Sequence, residues 1–199
     1  MAWPGLPSAG KAALRRRVLA AVGLMSEAQR EDESARARAL LEAQPVWCQA
    51  EAVLLYAPMP GELDVWPLVL RSLAEGRRVL LPRYDPGSGS YLAAELRDAE
   101  ADLSPGRYGV REPRAHCPGF PLNRLDLALV PGVAYDAKGH RLGRGQGYYD
   151  RLLSVAGGLA CGVAFETQWV AVVPVEAHDM TVDFIVTPTR WHPVRTPAA

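Results

Sequence analysis

The chain has 199 residues, of which 49% are hydrophobic and 22% are charged, and its 22 basic residues balance its 22 acidic residues. This composition is typical of an ordinary globular protein with one well-packed core. A net charge of zero gives no general attraction to nucleic acid. No apolar run reaches the length of about 18 residues that a membrane-spanning helix needs. We therefore expect a single soluble domain without a nucleic-acid or membrane partner.

The cysteines and the N-terminus indicate a cytoplasmic protein. Cys48, Cys117 and Cys161 are odd in number and far apart, so we expect reduced, mostly buried thiols and no zinc site. The basic residues near the N-terminus follow its short apolar stretch, which is the reverse of the order in a secretory signal. Residues 1–10 are rich in proline and glycine, and we expect them to form a loose arm.

Two helices are predicted at the start of the chain. From Lys11 onward, apolar residues recur at three- and four-residue intervals between residues 14 and 25, which gives the helix one apolar face. The sequence SEAQ at 26–29 has the form of a capping box, in which the serine and glutamine side chains bind each other's backbone N–H groups. It predicts a second helix that runs to about Ala43 and is ended by Pro45.

Short strand-like runs alternate with helices over the rest of the chain. Asp64 can cap a helix through Leu73, and another helix is expected over 147–155. Residues 84–124 contain several prolines and glycines and are predicted to be irregular. The strand-like runs are AVLLYAP (52–58), RRVLLPR (77–83), LDLALVPG (125–132), LACGVAFE (159–166) and VDFIVT (182–187). This alternation predicts an α/β fold with a mostly parallel sheet, in which ligands bind beyond the carboxyl ends of the strands.

The stretch RLGRGQGYYD (141–150) follows the strand at 125–132 and has glycines at every second position from 143 to 147. It matches neither the GxxxxGK[ST] pattern of a P-loop nor the GxGxxG pattern of a dinucleotide site. Alternating glycines allow backbone N–H groups to point into one concavity that binds anions, and Arg141 and Arg144 add positive charge. A flexible turn with solvated arginines explains the same composition equally well.

Four charged residues could complete a site for a nucleotide with Mg²⁺. Lys11 and Arg15 lie four residues apart on one helix face and could bind phosphate oxygens, although such a pair is often only solvated. Asp150 and Asp183 are carboxylates of the kind that Mg²⁺ binds together with phosphates. Alternatively, Asp150 pairs with Arg151 or with the helix dipole, and Asp183 is an ordinary carboxylate at a strand edge.

Three further residues have two interpretations each. Glu62, in PGELD just after the first strand, either contacts a ligand or belongs to a turn. Tyr148 and Tyr149 either stack on a ring of the ligand or line the core. Each signal is weak alone, but together the charged and aromatic residues describe a pocket for ATP and Mg²⁺.

The motif LVPGVAYDAKGHRLGRGQGYYDRLL (129–153) closely resembles the signature of the 5-formyltetrahydrofolate cyclo-ligase family, also called methenyltetrahydrofolate synthetases. Other motifs of this family occur in the same order, so the resemblance covers residues 11–188 and excludes the arm 1–10 and a C-terminal tail, 189–199. These motifs are KAALR (11–15), GELD (61–64), LPR (81–83), YGVREP (108–113), AFETQ (164–168) and HDMTVDFIVT (178–187).

The resemblance implies a single domain over residues 11–188 with a Rossmann-like three-layer α/β/α fold. It also implies an enzyme that uses ATP and Mg²⁺ to convert 5-formyltetrahydrofolate to 5,10-methenyltetrahydrofolate, with release of ADP and phosphate. The formyl oxygen would attack the γ-phosphate and N10 would close the ring, so no protein nucleophile is needed. We expect a monomer or weak homo-oligomer whose folate substrate can carry a polyglutamate tail.

The resemblance also assigns residues to each part of the site. Mg²⁺ would be held by Asp150 and Asp183, and we expect Lys11 and Arg144 to be catalytic. Folate contacts would come from Arg15, Glu62, Arg144, Gly145, Gln146, Gly147 and Tyr148. ATP would be bound by Lys11, Ala12, Ala13, Leu14, Arg15, Arg141, Leu142, Gly143, Arg144, Gly145, Gln146, Gly147, Tyr148 and Tyr149.

Two other kinds of function are compatible with the residues. One is a module that binds a nucleotide or RNA without catalysis, although the low aromatic content of 8% and the zero net charge count against RNA. The other is a sugar-phosphate isomerase or CoA transferase on a similar fold. Neither would release ADP in a folate-dependent reaction, so an ADP assay separates both from a cyclo-ligase.

Overall fold

The computed structural model describes residues 9–106 and 109–194. Its helices are α1 (Ala9–Gly23), α2 (Glu27–Glu42), α3 (Pro45–Gln49), α4 (Trp66–Ala74) and α5 (Tyr148–Leu153). Its strands are β1 (Ala52–Leu54), β2 (Arg78–Asp85), β3 (Ser90–Leu96), β4 (Leu103–Pro105), β5 (Arg111–Pro113), β6 (Gly119–Phe120), β7 (Leu127–Pro131), β8 (Ala134–Tyr135), β9 (Arg141–Leu142), β10 (Leu159–Val163), β11 (Phe184–Thr187) and β12 (Arg190–Pro193). Among these described residues, no helix combines the length and the apolar character needed to cross a membrane.

A central sheet contains eight of the strands in the order β12-β11-β10-β7-β1-β2-β3-β6. The five strands from β11 to β2 run parallel to one another, whereas β12, β3 and β6, at the two edges, each pair antiparallel with a neighbouring strand, namely β11, β2 and β3 respectively. The pairs β4-β5 and β8-β9 lie outside this sheet. The predicted α/β fold with a mostly parallel sheet is confirmed.

Helices cover both faces of the sheet because its central strands are apolar on both faces. In and just after β1, Val53 and Leu55 pack into a cluster with α1–α4, whereas Leu54 packs into a second cluster with α5. All three side chains are fully buried, and each such burial contributes about 1.5–3 kcal/mol. The alternation of side chains along each strand therefore produces the predicted three layers.

The local signals at the first helices are confirmed, with one addition. The Ser26 hydroxyl accepts the N–H of Gln29 at 3.1 Å, and the Gln29 side chain accepts the N–H of Ser26 at 2.8 Å, so the capping box begins α2. Pro45 follows the end of α2 as predicted. It also begins the short α3, where a missing N–H leaves no helical hydrogen bond unmade.

The edges of the sheet differ from the sequence prediction. Residues 84–124 are not irregular, since β3 pairs with β2 over its whole length and β6 pairs with β3. The sheet also extends past the boundary expected at residue 188, because β12 pairs with β11. These antiparallel edge strands lack the continuous apolar run that identifies a central strand. Tyr108 of the YGVREP motif and residues 1–8 of the expected arm lie outside the described residues.

Candidate active site

The structure places the glycine loop beside the point where the order of the strands reverses. From β1 the chain proceeds to β2 on one side, and it later returns to β7, β10 and β11 on the other side. A cavity of about 470 Å³ opens here, between Tyr56 and Ala57, which follow β1, and Pro131 and Gly132 at the carboxyl end of β7. Ligands of open α/β sheets bind in this crevice at the carboxyl ends of the strands.

The three glycines of the loop meet three different requirements. Gly145 and Gly147 have φ angles of +101° and +64°, which are strained for any residue with a Cβ, and Gly147 is also the N-cap of α5. Gly143 has no such angle, but a Cβ built on it would lie 2.8 Å from Nη1 of Arg141. All residues from Arg141 to Tyr149 line the cavity. The glycines therefore shape a loop that encloses a guanidinium group at the cavity wall.

Arg141 forms a buried ion pair in this wall. Its Nη2 donates to Oδ1 of Asp150 at 2.9 Å, and the two side chains are only 4% and 13% exposed, so Asp150 pairs with Arg141 rather than with Arg151. The guanidinium carbon lies 5.6 Å from the centre of the Tyr149 ring. Within the described part of the chain, Nε of Arg141 is buried and has no hydrogen-bond partner. Because an unsatisfied buried donor is costly, this nitrogen suits an anionic ligand.

Lys11 and Arg15 both reach the cavity from α1, as their four-residue spacing predicts. Nε of Arg15 donates to the carbonyl oxygen of Gly143 at 2.7 Å, which fixes the glycine loop to α1. Lys11 is buried, and its Nζ lies 2.6 Å from Oδ2 of Asp179 and 3.3 Å from Oε2 of Glu176. These contacts argue against a helix face that is only solvated.

The three residues between these two cations do not line the cavity. Ala12 is half-buried, Ala13 is exposed and Leu14 packs in the core. Because successive residues of a helix are turned by about 100°, positions four apart share a face that the intervening positions do not. The structure therefore brings no side chain from Ala12, Ala13 or Leu14 to the expected ATP site.

Glu62 belongs to a turn and also lines the cavity. Its Oε2 accepts the N–H of Met59 at 3.0 Å, and its Oε1 accepts from Nε of Arg144 at 3.2 Å, so it joins the turn to the glycine loop. Burial raises the pKa of this carboxyl above its ordinary value, while the Met59 N–H and the Arg144 charge limit the rise. The fold thus holds an unfavourable buried carboxylate next to the loop.

Replacement of Glu62 by glutamine is expected to stabilise the fold at neutral pH and to reduce activity. A raised folded-state pKa means that stability falls as the pH rises from the unfolded-state pKa to the folded-state pKa, and that the full cost of the buried carboxylate is present at higher pH. Glutamine removes this cost and keeps an acceptor for the Met59 N–H. The gain in melting temperature should vanish below about pH 4, where the unfolded chain is protonated as well. Thermal unfolding as a function of pH measures the effect, and a variant less stable than the wild type at pH 8 would contradict it.

Tyrosine rings from two elements form another part of the wall. The rings of Tyr91 on β3 and Tyr148 on α5 have centres 4.7 Å apart and are inclined at 69°, and both residues line the cavity. Tyr84 extends the row, 5.5 Å from Tyr91. Burial raises the pKa of Tyr149 far above its ordinary value, so this neighbouring phenol stays protonated. Aromatic walls of this kind pack against flat rings.

Asp183 lies far from the glycine loop, so the expected metal pair of Asp150 and Asp183 is corrected. Asp183 immediately precedes β11. Its Oδ2 accepts the N–H of Ala160, which lies at the start of β10, at 2.9 Å. The cavity lies at the opposite, carboxyl ends of the parallel strands, and Asp183 does not contribute to its lining. A residue that immediately precedes a parallel strand lies at the amino end of the sheet, whereas ligands of such sheets bind at the carboxyl end.

The fold brings Asp179 to Asp150 instead. The N–H of Met180 donates to Oδ1 of Asp150 at 3.3 Å, and both aspartates line the cavity. Asp179 also clusters with Glu176 and His178, and the potential ligand atoms of these three residues lie within 4.8 Å of one another. Asp179 and Asp183 belong to the same sequence motif, so the motif alone could not show which of them reaches the cavity.

Sequence reasoning did not select several other residues that line the cavity. They come from the segment after β1, from β3, from β5 and from the loop at 176–179, and only two quoted motifs, YGVREP and HDMTVDFIVT, covered any of them. These residues are Tyr56, Tyr91, Arg111, Glu112, Glu176, His178 and Asp179.

Comparisons with known sequences identify the family of the chain. A family model described as the 5-formyltetrahydrofolate cyclo-ligase family matches residues 7–188. The chain is 33% identical over 171 residues to a 5-formyltetrahydrofolate cyclo-ligase of Escherichia coli strain K12, with 84% of this chain and 93% of that one covered. It is 32% identical over 192 residues to a protein of the same name from Mycolicibacterium smegmatis, with 90% and 94% covered.

Solved structures show the same fold. The NMR structure of Aquifex aeolicus 5,10-methenyltetrahydrofolate synthetase matches with a TM-score of 0.85 and 33% identity over 95% of both chains. A 5,10-methenyltetrahydrofolate synthetase from Mycoplasma pneumoniae shares the fold at a TM-score of 0.70 and 20% identity, over 89% of this chain and 98% of that one.

Fold and cavity together define an α/β protein with a basic, glycine-rich cavity at the switch point of a parallel sheet, where proteins of this class bind their ligands. The chain belongs to the 5-formyltetrahydrofolate cyclo-ligase family. The predictions of this family and of an enzyme are confirmed.

Proposed function

We propose that this chain converts 5-formyltetrahydrofolate to 5,10-methenyltetrahydrofolate with consumption of ATP and release of ADP and phosphate. The observation that carries the proposal is the make-up of the cavity, which combines a glycine loop and several basic side chains with tyrosine rings and a carboxylate. The basic part suits a polyphosphate, and the aromatic part suits a flat, polar heterocycle. The names of the relatives support the same pair of substrates.

The reaction has to activate a poor electrophile. The nitrogen lone pair of a formamide feeds its carbonyl group, so N10 does not attack the formyl carbon directly. When the formyl oxygen attacks the γ-phosphorus, the bond to ADP breaks and the carbon becomes part of an iminium group. N10 then bonds to this carbon and loses its proton, and phosphate leaves with the electrons of the C–O bond. Positioning and charge neutralisation carry out most of such a phosphoryl transfer, without a protein nucleophile.

Lys11 and Arg144 are proposed to neutralise charge on the transferring phosphoryl group. Each is held by a carboxylate, at 2.6 Å for Lys11 and 3.2 Å for Arg144, so both cations are oriented before a ligand binds. Arg141 can offer its unsatisfied buried Nε to a phosphate oxygen. Glu62 and the rings of Tyr91 and Tyr148 are proposed to contact the folate.

A mixture of the protein, Mg-ATP and 5-formyltetrahydrofolate is expected to form ADP and the methenyl product in equal amounts. The product is followed by its near-ultraviolet absorbance and ADP by a coupled assay. The control substrate 5-methyltetrahydrofolate has no formyl oxygen and should give neither product. Methenyl product without ATP would contradict the mechanism, and saturable ATP binding without any folate-dependent turnover would indicate a binding module.

We further propose that Asp150 and Asp179 hold Mg²⁺. Both carboxylates line the cavity beside the basic groups, and Mg²⁺ commonly binds one or two protein carboxylates together with phosphate oxygens. When bound, the ion would withdraw negative charge from the polyphosphate. The hydrogen bond from Met180 to Asp150 keeps the two carboxylate-bearing segments together.

Asp179→Asn is expected to raise the Mg²⁺ concentration needed for half-maximal activity by about 10-fold or more. Asp183→Asn is the matched control, because it makes the same chemical change in the same motif at the other end of the sheet. The control should lose some stability and keep the wild-type Mg²⁺ requirement. Titration of activity with Mg²⁺ at saturating ATP compares the three proteins, and a normal requirement in Asp179→Asn would remove that residue from the metal site.

A cytoplasmic location is proposed from the state of the thiols. The three cysteines are free, and Cys117 and Cys161 are buried whereas Cys48 is exposed, which confirms the prediction of mostly buried thiols. Unpaired cysteines are typical of a reducing compartment. The expected monomeric or weakly oligomeric state stays a prediction.

A further inference from the structure

Three side chains of metal-binding type lie close together near the antiparallel strands β4 and β5. Asp102 immediately precedes β4, and His116 and Cys117 lie between β5 and β6. Their potential ligand atoms all lie within 4.8 Å of one another, and Nε2 of His116 is 2.8 Å from Oδ1 of Asp102. None of these three described residues lines the cavity. The cluster is therefore separate from the proposed Mg²⁺ site.

The backbone orients the carboxylate of this cluster. Oδ2 of Asp102 accepts the N–H of Arg97 at 2.7 Å and the N–H of Asp98 at 2.9 Å, which leaves Oδ1 to face the imidazole of His116. In metal sites, the carboxylates that bind the ion are themselves held by hydrogen bonds of this kind. Asp102 can therefore bind an ion through one oxygen while its turn keeps the same backbone contacts.

A turn presents the thiol and the imidazole to this carboxylate. The N–H of Cys117 donates to the carbonyl of Arg114 at 3.0 Å, and the N–H of Arg114 donates to the carbonyl of Asp102 at 2.7 Å. Nη1 of Arg83 donates to the carbonyls of Arg114 and Cys117, at 2.7 and 2.8 Å. Cys117 is buried, whereas the side chain of His116 is 61% exposed. The backbone is thus fixed, and the imidazole has room to move.

The donor set suits Zn²⁺ rather than a hard cation. Zn²⁺ binds thiolate, imidazole and carboxylate ligands together in tetrahedral sites, whereas Mg²⁺ selects oxygen ligands. Bond lengths of about 2.0–2.3 Å place tetrahedral ligand atoms about 3.4–3.6 Å apart. The 2.8 Å between His116 and Asp102 therefore has to widen by about 0.6 Å, which the exposed imidazole allows. The ion replaces the proton of the Cys117 thiol, and this proton passes to solvent.

We infer that Asp102, His116 and Cys117 bind Zn²⁺. Three protein ligands leave one tetrahedral position, which water fills in sites of this kind. The sequence prediction of no zinc site considers only the spacing of the cysteines, whereas the fold adds an imidazole and a carboxylate to one thiol. The ion would link the turn before β4 to the turn before β6.

Titration of the metal-free full chain with Co²⁺, without ATP or folate, tests the inference. Co²⁺ occupies zinc sites, and it gives a near-ultraviolet charge-transfer band with a thiolate and visible bands in a tetrahedral site. The wild type is expected to develop both kinds of band, and Zn²⁺ should displace Co²⁺ and remove them. Zn²⁺ should also raise the melting temperature, because it binds the folded chain.

Three variants assign the ligands. Cys117→Ser should lose the thiolate band, and His116→Gln should raise the Kd for Zn²⁺ by about 100-fold or more. Because His116 is exposed, His116→Gln keeps the test valid if Cys117→Ser does not fold. Cys48→Ser is the matched control, since Cys48 is an exposed thiol outside the cluster, and it should keep both kinds of band.

The outcomes that contradict the inference are distinct from those that test the proposed function. A wild type without a thiolate band would overturn it, as would a band that persists in Cys117→Ser or an unchanged Kd for Zn²⁺ in His116→Gln. Loss of the band in Asp179→Asn would place the ion at the cavity and would also overturn it. None of these measurements uses turnover, so they keep their meaning if the proposed function fails.

Discussion

Gly145→Ala is expected to reduce turnover about 100-fold and the free energy of unfolding by only about 1–2 kcal/mol. The φ angle of Gly145 is +101°, which alanine adopts only with strain, so the loop backbone has to shift. A displacement of a bound phosphate by about 1 Å is sufficient for such a loss of rate. The new Cβ would lie 3.8 Å from the guanidinium carbon of Arg15, so no contact with the protein forces the chain to unfold.

Gly76→Ala is the matched control for this variant. Gly76 also has a left-handed φ angle, +76°, and among the described residues a Cβ there would meet nothing within 4 Å. Gly76 lies between α4 and the amino end of β2, whereas the cavity lies at the carboxyl ends of the parallel strands. The control should lose a similar amount of stability and keep normal turnover per folded molecule. Melting temperature and turnover are measured on one preparation of each protein, and near-normal turnover of Gly145→Ala would make the loop an ordinary turn.

Asp150→Leu is expected to abolish activity and to lower the free energy of unfolding by about 3 kcal/mol or more. Removal of the carboxylate leaves the Arg141 charge buried without its partner, and Nε of Arg141 already has no acceptor within the described residues. The guanidinium would then leave the position that Gly143 makes room for. Denaturant unfolding measures the loss of stability, and the ADP assay measures the loss of activity.

A double variant and a surface variant test this explanation. Arg141→Met with Asp150→Leu removes both charges, so it should regain much of the stability but none of the activity. Asp32→Asn breaks an ion pair with Arg36 whose side chains are 66% and 50% exposed, and it should change stability by less than about 1 kcal/mol. If Asp150→Leu unfolds at the same denaturant concentration as the wild type, the ion pair does not stabilise the fold.

The sequence by itself determined the features that depend on neighbouring residues. The capping box at 26–29 closes within one turn of helix, so its two hydrogen bonds could be read from four letters. The run at 125–132 is apolar at almost every position, as a strand covered on both faces requires, and β7 lies within it. The glycine motif was specific enough to identify the family, and each of its residues from Arg141 to Tyr149 lies at the cavity.

Only the tertiary structure decided the features that depend on residues far apart in the chain. β3 and β12 are strands because β2 and β11 present free edges to them, which their own short sequences do not reveal. Asp179 rather than Asp183 reaches the cavity because β11 begins just after Asp183, so the two carboxylates face opposite ends of the sheet. Likewise, the guanidinium of Arg111 lies against the ring of Trp66, 45 positions earlier in the sequence, and lines the cavity. Charged residues of these types also occur in ordinary solvated loops, and only packing between distant segments gives them a site.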